Sequence, residues 1–501
     1  MKRSILFFIT LISLNSYGKD RLITEFGAIP DNKTINTLSI QNTIDAVHAS
    51  GGGKVIIPNG SFVTGTIFLK DNITLYFMEG AILYGSTNME DYPVIYPKFK
   101  SFTDSHCNRS IIYAENCKNI AIEGKGLIDG NGGHPTFSTN IKDNDDARPF
   151  GIRIISCSNI TIRDIEMRNA AQWMQHYLDC DFLFIEGIKV TNHVNRNNDG
   201  LDIDGCRNVT VSNCIIDADD DALCLKANGP ADCENVTITN CVLKSNCNAF
   251  KMGTETTGGF KNIVASNLVI SASSKESPIW KRQLNLSGIT ILSMDGGKTE
   301  NVSINNVIIN GVYAPIFIKL GNRLRKYADG ASTPEPGYIK NIRISEVIAH
   351  DSRFETSHIS GFPGHYVENV TLENIEFFCY GDGKKEDILE EVEERETSYP
   401  DVNLYDTWYP SYGLFARHVK GLHLNNVKFN YNKKDERPAI FADDVEDLNL
   451  FNVQSQSNKE MEQVYYLKDV KNASFRNCVN SELSNKFVNE VGNSKNIIIN
   501  E

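Results

Sequence analysis

Two acidic motifs contain the residues of this chain whose types and spacing could do chemistry. The first, NNDGLDID at residues 197–204, contains Asp199, and the second, DDDALCLK at residues 219–226, contains Asp220 and Asp221. If the motifs lie together, like-charge repulsion raises the pKa of at least one carboxyl group and leaves a protonated acid beside ionised ones. Hydrolysis of a glycosidic bond needs an acid for the leaving oxygen and a carboxylate for the water. The same oxygens could instead bind Ca²⁺ or form a solvated acidic turn.

A repeated phrase of alternating aliphatic residues and Asn describes the elements that must bring these motifs together. It reads NVTVSNCII from Asn208, NVTITNCVL from Asn235 and NIVASNLVI from Asn262, in steps of 27 residues, and recurs at longer steps further along the chain. Each phrase predicts two short strands with a turn-favouring Asn between them. One such unit cannot bury its apolar side alone, whereas stacked units can. We predict an all-β fold, a single-stranded right-handed parallel β-helix.

This fold places the two acidic motifs side by side. Asp199 and Asp220 are 21 residues apart, close to one coil of this region, so they should lie on neighbouring layers. Side chains alternate between the two faces of a strand. Leu223 faces the core on this pattern, and Lys226 and Asp202 face outward.

Three segments differ from the repeat. Residues 1–18 combine Lys2 and Arg3 with a short apolar run, which predicts a secretory signal peptide and an exported protein. Thr37 to Ser50 has the apolar spacing of a helix, which should cap the N-terminal end of the coils. Residues 382–410 are first charged and then aromatic, and we interpret them as a loop insertion with a short helix. Residues 19–501 should form a single β-helix domain.

Composition limits the partners. The chain has 501 residues, with 50 basic and 63 acidic side chains and a net charge of −13. This charge argues against nucleic acid and against an anionic membrane surface. The 12 Cys recur at equivalent repeat positions, so they should form columns of buried thiols or of disulfides. No C-x-x-C pair occurs, and we predict no metal and no cofactor.

The motifs resemble a known family. The segment from Phe26, FGAIPDNKTINTLSIQNTIDAVHASGGGKVIIPNG, resembles the opening of the pectin-degrading β-helix superfamily. The N-x-D-G and D-D pair, with AQWMQHYLDC from Ala171, resembles glycoside hydrolase family 28, the polygalacturonase family. The resemblance implies that Asp220 is the general acid, that Asp199 and Asp221 hold and activate the attacking water, and that the anomeric centre is inverted.

The chain departs from the family at two cationic positions. Asn248 stands where the family has the His of Gly-His-Gly, and Thr290 and Leu292 stand where the family has the Arg and Lys that bind the substrate carboxylate. Asn cannot change charge near neutral pH, unlike His. Lys226 and Lys251 lie near the acids and could bind a uronate carboxylate, or they could pair with neighbouring aspartates.

Further candidates for substrate binding are Trp173, Asp202 and Asn248. Trp173 could stack on a sugar face, although it could equally cover a coil edge. GTETTGG from Gly253 resembles a segment of bacterial exo-acting members and indicates attack at a chain end, but endo attack stays open.

Three functions remain from these observations. The first is a secreted, inverting hydrolase, expected to be a monomer, that acts on a pectic polysaccharide or oligosaccharide of the galacturonan or rhamnogalacturonan type. The second is a Ca²⁺-dependent polysaccharide lyase that uses the aspartates for the metal. The third is a non-catalytic carbohydrate-binding β-helix. Crowding three acids favours hydrolysis, because binding alone does not need it.

Overall fold

The computed structural model describes residues 19–105, 108–137, 148–282, 285–351, 353, 355–389, 391–403, 408–482, 484 and 486–500. The predicted signal peptide, residues 1–18, lies outside the described residues. Within the described ranges no helix is long and apolar enough to cross a membrane.

Short strands separated by turns make up most of the chain. The N-terminal strands are β1 (Arg21–Leu22), β2 (Asp31–Ile35), β3 (Gly53–Ile57), β4 (Gly60–Thr64), β5 (Ile67–Phe68), β6 (Ile73–Phe77), β7 (Ala81–Gly85), β8 (Ser110–Glu115), β9 (Lys118–Gly124), β10 (Leu127–Asp129), β11 (Phe150–Ile155), β12 (Ser158–Arg163) and β13 (Glu166–Arg168). The central strands are β14 (Gln175–Leu178), β15 (Asp181–Glu186), β16 (Lys189–Asn192), β17 (Leu201–Asp204), β18 (Arg207–Ser212), β19 (Ile215–Ala218), β20 (Leu223–Ala227), β21 (Cys233–Ser245), β22 (Asn248–Thr256), β23 (Phe260–Ala272), β24 (Ser287–Ser293), β25 (Lys298–Val312) and β26 (Ala314–Leu320). The C-terminal strands are β27 (Tyr338–Asp351), β28 (Ser357–Ser360), β29 (Val367–Gly381), β30 (Leu414–Lys433), β31 (Ile440–Phe451), β32 (Gln454–Ser455), β33 (Gln463–Lys468), β34 (Lys471–Arg476), β35 (Val479–Asn480), β36 (Lys486–Val491) and β37 (Lys495–Asn500).

These strands pair in parallel with the equivalent strand one coil away. In the repeated phrases, Val209 of β18 lies opposite Val236 of β21, which lies opposite Ile263 of β23, so each step is the 27 residues seen in the sequence. Parallel strands that bury one face against a shared interior form a continuous column of Ile, Leu and Val, which runs from Ile23 to Phe475. The all-β parallel β-helix predicted from the repeat is confirmed.

The Asn residues of the repeat form ladders at the corners of the coils. Asn235, Asn262 and Asn301 each donate a side-chain hydrogen bond to the Asn one coil before, at 3.3, 3.1 and 3.2 Å. Each of the three has a positive φ, between 57° and 60° for Asn235 and Asn301 and 56° for Asn262. Asn tolerates this left-handed conformation better than other residues that carry a Cβ. The ladder therefore explains why the repeat requires Asn at the turn.

The ladder makes a prediction about stability. Replacing Asn262 with Ala removes two side-chain hydrogen bonds and places a Cβ residue without a local acceptor at φ 56°. We expect the unfolding free energy to fall by about 1–2 kcal/mol, measured by denaturant unfolding. Asn262→Gly is the matched control, because Gly accepts the backbone conformation and loses only the hydrogen bonds. Equal stability of the Ala variant and the unmodified protein would contradict the role of the ladder.

A helix covers the N-terminal end of the stack. Helix α1 (Thr37–Ala49) buries Ile40, Ile44 and Val47 against the first coils, as its spacing predicts. Single turns of 3₁₀ helix also occur, at Ile23–Phe26, Met89–Asp91, Phe102–Ser105 and Lys385–Asp387. The predicted capping helix is confirmed.

Two further sequence features can be located. The described cysteines are free thiols, and most of them are buried in the coil interior. They stack between coils, as where the backbone N–H of Cys117 donates to Sγ of Cys157 at 3.2 Å. Between β29 and β30 the described part of residues 382–413 has no strand and carries the short 3₁₀ helix at Lys385–Asp387. We call residues 382–413 the insertion loop.

Candidate active site

The coil stacking places the two acidic motifs on adjacent strands. β17 pairs in parallel with β20, with Leu201 opposite Leu223 and Asp204 opposite Lys226. Just before these strands, the backbone N–H of Gly200 donates to the carbonyl oxygen of Asp221 at 2.9 Å. Asp199 and Asp221 therefore start neighbouring strands at the same level of the sheet, although 22 positions separate them in the sequence.

The acids face a cavity of about 210 Å³. Asp199, Asp220 and Asp221 line it together with Lys226 and Lys251. Asp199 and Asp221 are nearly fully buried, while Asp220 keeps partial access to solvent. We call this space the acidic cavity.

Two ammonium groups sit among the carboxylates. Lys251 Nζ lies 2.8 Å from Oδ2 of Asp221. Lys226 Nζ lies 3.6 Å from Oδ2 of Asp199, 3.4 Å from Oδ1 of Asp202 and 4.0 Å from Oδ2 of Asp221. These distances bring the carboxyl groups of both motifs around one ammonium and show how the charge of so many acids is held in one place.

The environments of the aspartates push their pKa values apart. Burial raises the pKa of Asp220 to about 6, and the nearby Asp221 adds to the effect. Burial also favours a higher pKa for Asp221, but Lys251 and Lys226 outweigh it and hold that pKa below the usual value. Burial, with Asp202 and Asp220, raises the pKa of Asp199. A protonated Asp220 thus stands beside an ionised Asp221, which is the pairing that general acid–base catalysis needs.

The structure separates the candidates for substrate binding into two groups. Trp173, Lys226 and Lys251 line the acidic cavity. Asp202 and Asn248 are outside the described lining: Asp202 is fully buried beside Lys226, and Asn248 donates to Oδ1 of Asp221 at 2.7 Å. Asn248 thus holds Asp221 from the neighbouring coil, in the place where the resemblance implies a His.

Other cavity residues escape analysis of the sequence. Phe102, Thr103 and Asn228 form one side of the acidic cavity, and Tyr399 reaches it from the insertion loop. The aromatic run in the insertion was a signal for Tyr399, but no pattern in the sequence marks Phe102. Tyr399 Oη lies 3.4 Å from Oγ1 of Thr254 on β22.

Paired charges and an aromatic ring close one end of the cavity. Glu255 lines the cavity, and its Oε1 lies 2.7 Å from a guanidinium nitrogen of Arg325. The Arg325 guanidinium also stacks 4.0 Å from the ring centre of Phe102. Arg323 bridges Asp295 at 2.5 Å and Glu255 at 3.9 Å. Burial raises the pKa of Glu255, but Lys226, Arg325 and Arg323 outweigh it and lower that pKa to about 2, so Glu255 is an ionised wall residue.

The cavity is poorly suited to calcium. Possible ligand atoms of Asp220, Asp221 and Cys247 lie within 4.8 Å of one another. Ca²⁺ prefers six to eight oxygen ligands, whereas this group includes a sulfur. Burial raises the pKa of the Cys247 thiol well above its usual value, so the thiol keeps its proton. Lys226 and Lys251 already supply positive charge beside these carboxylates, in the electrostatic role that a cation would have.

The coil beyond Lys251 is apolar where the family has its carboxylate-binding cations. Thr290 lies opposite Lys251 in the register, and its hydroxyl bonds to Ser287. Leu292 is buried in a small cluster with Phe317 and Val402. The substitution at these two positions therefore removes both cationic side chains and leaves no other cation in their place on β24.

Comparison with known proteins identifies relatives of this chain. The model of the family "Glycosyl hydrolases family 28" matches residues 53–398. An exo-poly-alpha-D-galacturonosidase of Dickeya chrysanthemi is 30% identical over 249 residues, which cover 40% of this chain and 41% of the relative. A probable polygalacturonase of Vitis vinifera is 28% identical over 217 residues, which cover 41% of this chain and 44% of the relative. The matched part thus spans less than half the length of these curated relatives.

Solved structures share the fold. An exopolygalacturonase from Thermotoga maritima superposes with a TM-score of 0.61 at 21% identity, covering 72% of this chain and 87% of that one. A family 28 exopolygalacturonase of Yersinia enterocolitica has a TM-score of 0.56 at 18% identity and covers 96% of this chain and 78% of that one. At these identities the likeness concerns the β-helix alone.

Proposed function

The chain belongs to glycosyl hydrolases family 28, and from this premise we propose that it hydrolyses glycosidic bonds in a pectic polysaccharide or oligosaccharide, of the galacturonan or rhamnogalacturonan type, with inversion. The observation that carries the proposal is the pairing of Asp220, whose pKa is raised to about 6, with Asp221, whose pKa is lowered. The names of the Dickeya chrysanthemi and Vitis vinifera relatives support a galacturonan substrate.

The chemistry assigns one task to each aspartate. Asp220 donates its proton to the glycosidic oxygen as the bond from that oxygen to the anomeric carbon breaks. A water bonds to the opposite face of the anomeric carbon and gives its proton to Asp221, so the product has the inverted configuration. Asp199 orients this water from the neighbouring strand. Lys251 and Asn248 keep Asp221 ionised and in position through bonds of 2.8 and 2.7 Å.

The closed end of the acidic cavity supports attack at a chain end. Phe102, Arg325 and Glu255 form a wall beside the acids, and Tyr399 lies over them from the insertion loop. A cavity closed in this way accepts the terminal sugar of a chain, whereas an open groove would let a polymer pass through. The exo-acting relative of Dickeya chrysanthemi is consistent with this mode.

Product analysis tests the proposal. We expect the purified protein to release mono- or disaccharides from polygalacturonate or a rhamnogalacturonan fraction from the earliest times, with little loss of viscosity. Reducing ends should appear without the ultraviolet absorbance of an unsaturated product, and a chelator should not stop the reaction. An absorbing product that disappears with chelator would establish the lyase, and binding without any new reducing ends would establish the carbohydrate-binding protein.

The leader at residues 1–18 supports export, so we propose that the enzyme meets its substrate in the periplasm or outside the cell, as a monomer.

A further inference from the structure

A second cavity, of about 360 Å³, lies beside the acidic cavity and shares Asp220 with it. Among the described residues Asn197 and Asp220 line both cavities, whereas Asp199 and Asp221 face the acidic cavity alone. A general acid must reach the oxygen that joins the two sugars of the cleaved bond. The sugar attacked by water therefore belongs in the acidic cavity, and the sugar that leaves belongs on the other side of Asp220.

We propose that the second cavity is the subsite for the leaving sugar, and that it selects a sugar bearing a carboxylate, with Trp280 against the ring and Arg282 at the carboxylate. The inference rests on the proposed glycoside hydrolysis and adds the residues that recognise the leaving group. Both residues lie on the loop between β23 and β24, outside the acidic motifs and outside the sheet.

Trp280 has the properties of a sugar platform. Its side chain is 59% exposed beside the cavity, and Ile279 and Leu286 add apolar surface to the same lining. A large exposed indole next to a polar site commonly serves ligand binding, because its flat face covers apolar C–H surface while its N–H remains available to a polar partner. The apolar face of a sugar ring has this surface.

The charges of the second cavity suit an anion when Asp220 carries its proton. Arg196 and Arg282 face the cavity, together with Asp219, Asp220 and Asp401. The Asp219 carboxylate is already engaged, since it accepts hydrogen bonds from Ser277 at 2.9 Å and Asn246 at 3.0 Å. With a neutral Asp220, the two guanidinium groups exceed the remaining carboxylate of Asp401. Arg282 is exposed, so its guanidinium can reach a ligand carboxylate.

The sheet offers no alternative cation on this side. β24 follows Lys251 with Thr290 and Leu292, and Leu292 packs against Phe317 in an apolar cluster. Carboxylate recognition for the leaving sugar thus falls to the loop and not to the coil.

Asp219 is a positioning residue that ties this loop to the acid. The buried Oγ of Ser277 donates to Asp219 Oδ2 and accepts the backbone N–H groups of Ile279 and Trp280, both at 3.2 Å. Asn246 donates both to Asp219 and, at 3.1 Å, to the carbonyl oxygen of Lys275. The residue directly before the general acid therefore holds both ends of the segment that presents Trp280.

Binding measurements on an Asp220→Asn background test the assignment without requiring turnover. The probes are trigalacturonate and the same oligomer with a methyl ester on the sugar next to its non-reducing end. We expect Arg282→Gln to weaken binding of the acid about tenfold and to leave binding of the ester unchanged, since only the acid offers a charged partner. Trp280→Ala should weaken both about tenfold.

Three further variants complete the design. Ser277→Ala should weaken both probes less than Trp280→Ala does, and the two changes together should be non-additive, because the hydroxyl acts through the Trp280 backbone. Arg163→Gln and Phe184→Ala, on strands far from the cavities, are the controls and should change nothing. Equal losses for acid and ester in Arg282→Gln, or no loss in either variant, would overturn the subsite. Tight binding without hydrolysis by the unmodified enzyme would instead refute the proposed function and leave this inference standing.

Discussion

Asp220→Asn should lower kcat about 10³- to 10⁴-fold, while KM changes little and the protein stays folded. The substitution keeps the size of the side chain but removes the proton that the leaving oxygen must receive. Because Asp220 has a pKa of about 6 and acts in its protonated form, the rate of the unmodified enzyme should fall as the pH rises above about 6. Initial rates across pH on a pectic oligosaccharide measure both effects.

A matched control separates chemistry from folding. Asp179→Asn changes a carboxylate that pairs with Arg207 at 3.1 Å at another corner of the coil and should keep full activity. Circular dichroism of Asp220→Asn should match that of the unmodified protein, since Asn removes the repulsion from Asp221. Retention of more than about one tenth of kcat in Asp220→Asn would remove this residue from the acid role.

Lys251→Met should lower kcat/KM about 100-fold and move the acidic limb of the pH profile to higher pH. Lys251 Nζ lies 2.8 Å from Asp221 and holds the pKa of that carboxyl down, so its removal raises the pKa of the base. In the unmodified protein, the pair stabilises the fold above the unfolded pKa of Asp221, and this contribution is lost as the pH falls through the lowered pKa. In Lys251→Met the sign reverses: stability should decline as the pH rises and Asp221 ionises without a partner.

Breaking a buried pair can cost about 3–5 kcal/mol, so unfolding must be measured beside activity. Lys251→Arg keeps the charge and should restore part of both the rate and the position of the acidic limb. Lys189→Met removes an exposed pair with Glu166, at 3.3 Å, and is the control, with a change of less than about 1 kcal/mol. If the acidic limb of Lys251→Met stays in place while the affinity for acidic sugars falls, Lys251 binds the substrate instead of tuning Asp221.

Neighbouring coils were readable from the order of residues. The 27-residue step of Asn208, Asn235 and Asn262 gave the register of three strands, and the structure repeats it in the pairs Val209 to Val236 to Ile263. The distance from Asp199 to Asp220 placed both motifs on adjacent strands by the same reasoning. The prediction succeeds because a β-helix makes its contacts between positions one coil apart, so the period of the sequence is also the map of its neighbours.

Partners of the charged side chains were a different matter. The sequence left open whether Lys226 and Lys251 meet a substrate or an aspartate, and the folded chain directs them to Asp199, Asp202 and Asp221. Side-chain direction on a strand follows from alternation, but which acid an ammonium reaches depends on distances of a few tenths of an ångström across two coils.

The walls of the cavities came from loops and had no period to follow. Phe102 and Tyr399 are almost 300 residues apart, and Trp280 lies on a third loop, yet all three border the space around Asp220. Local pattern settles the strands and their register, because strand pairing and core burial repeat with the chain. Loop placement depends on single long-range contacts, such as Ser277 to Asp219 or Phe102 to Arg325, which have no counterpart one coil away and arise after the stack has formed.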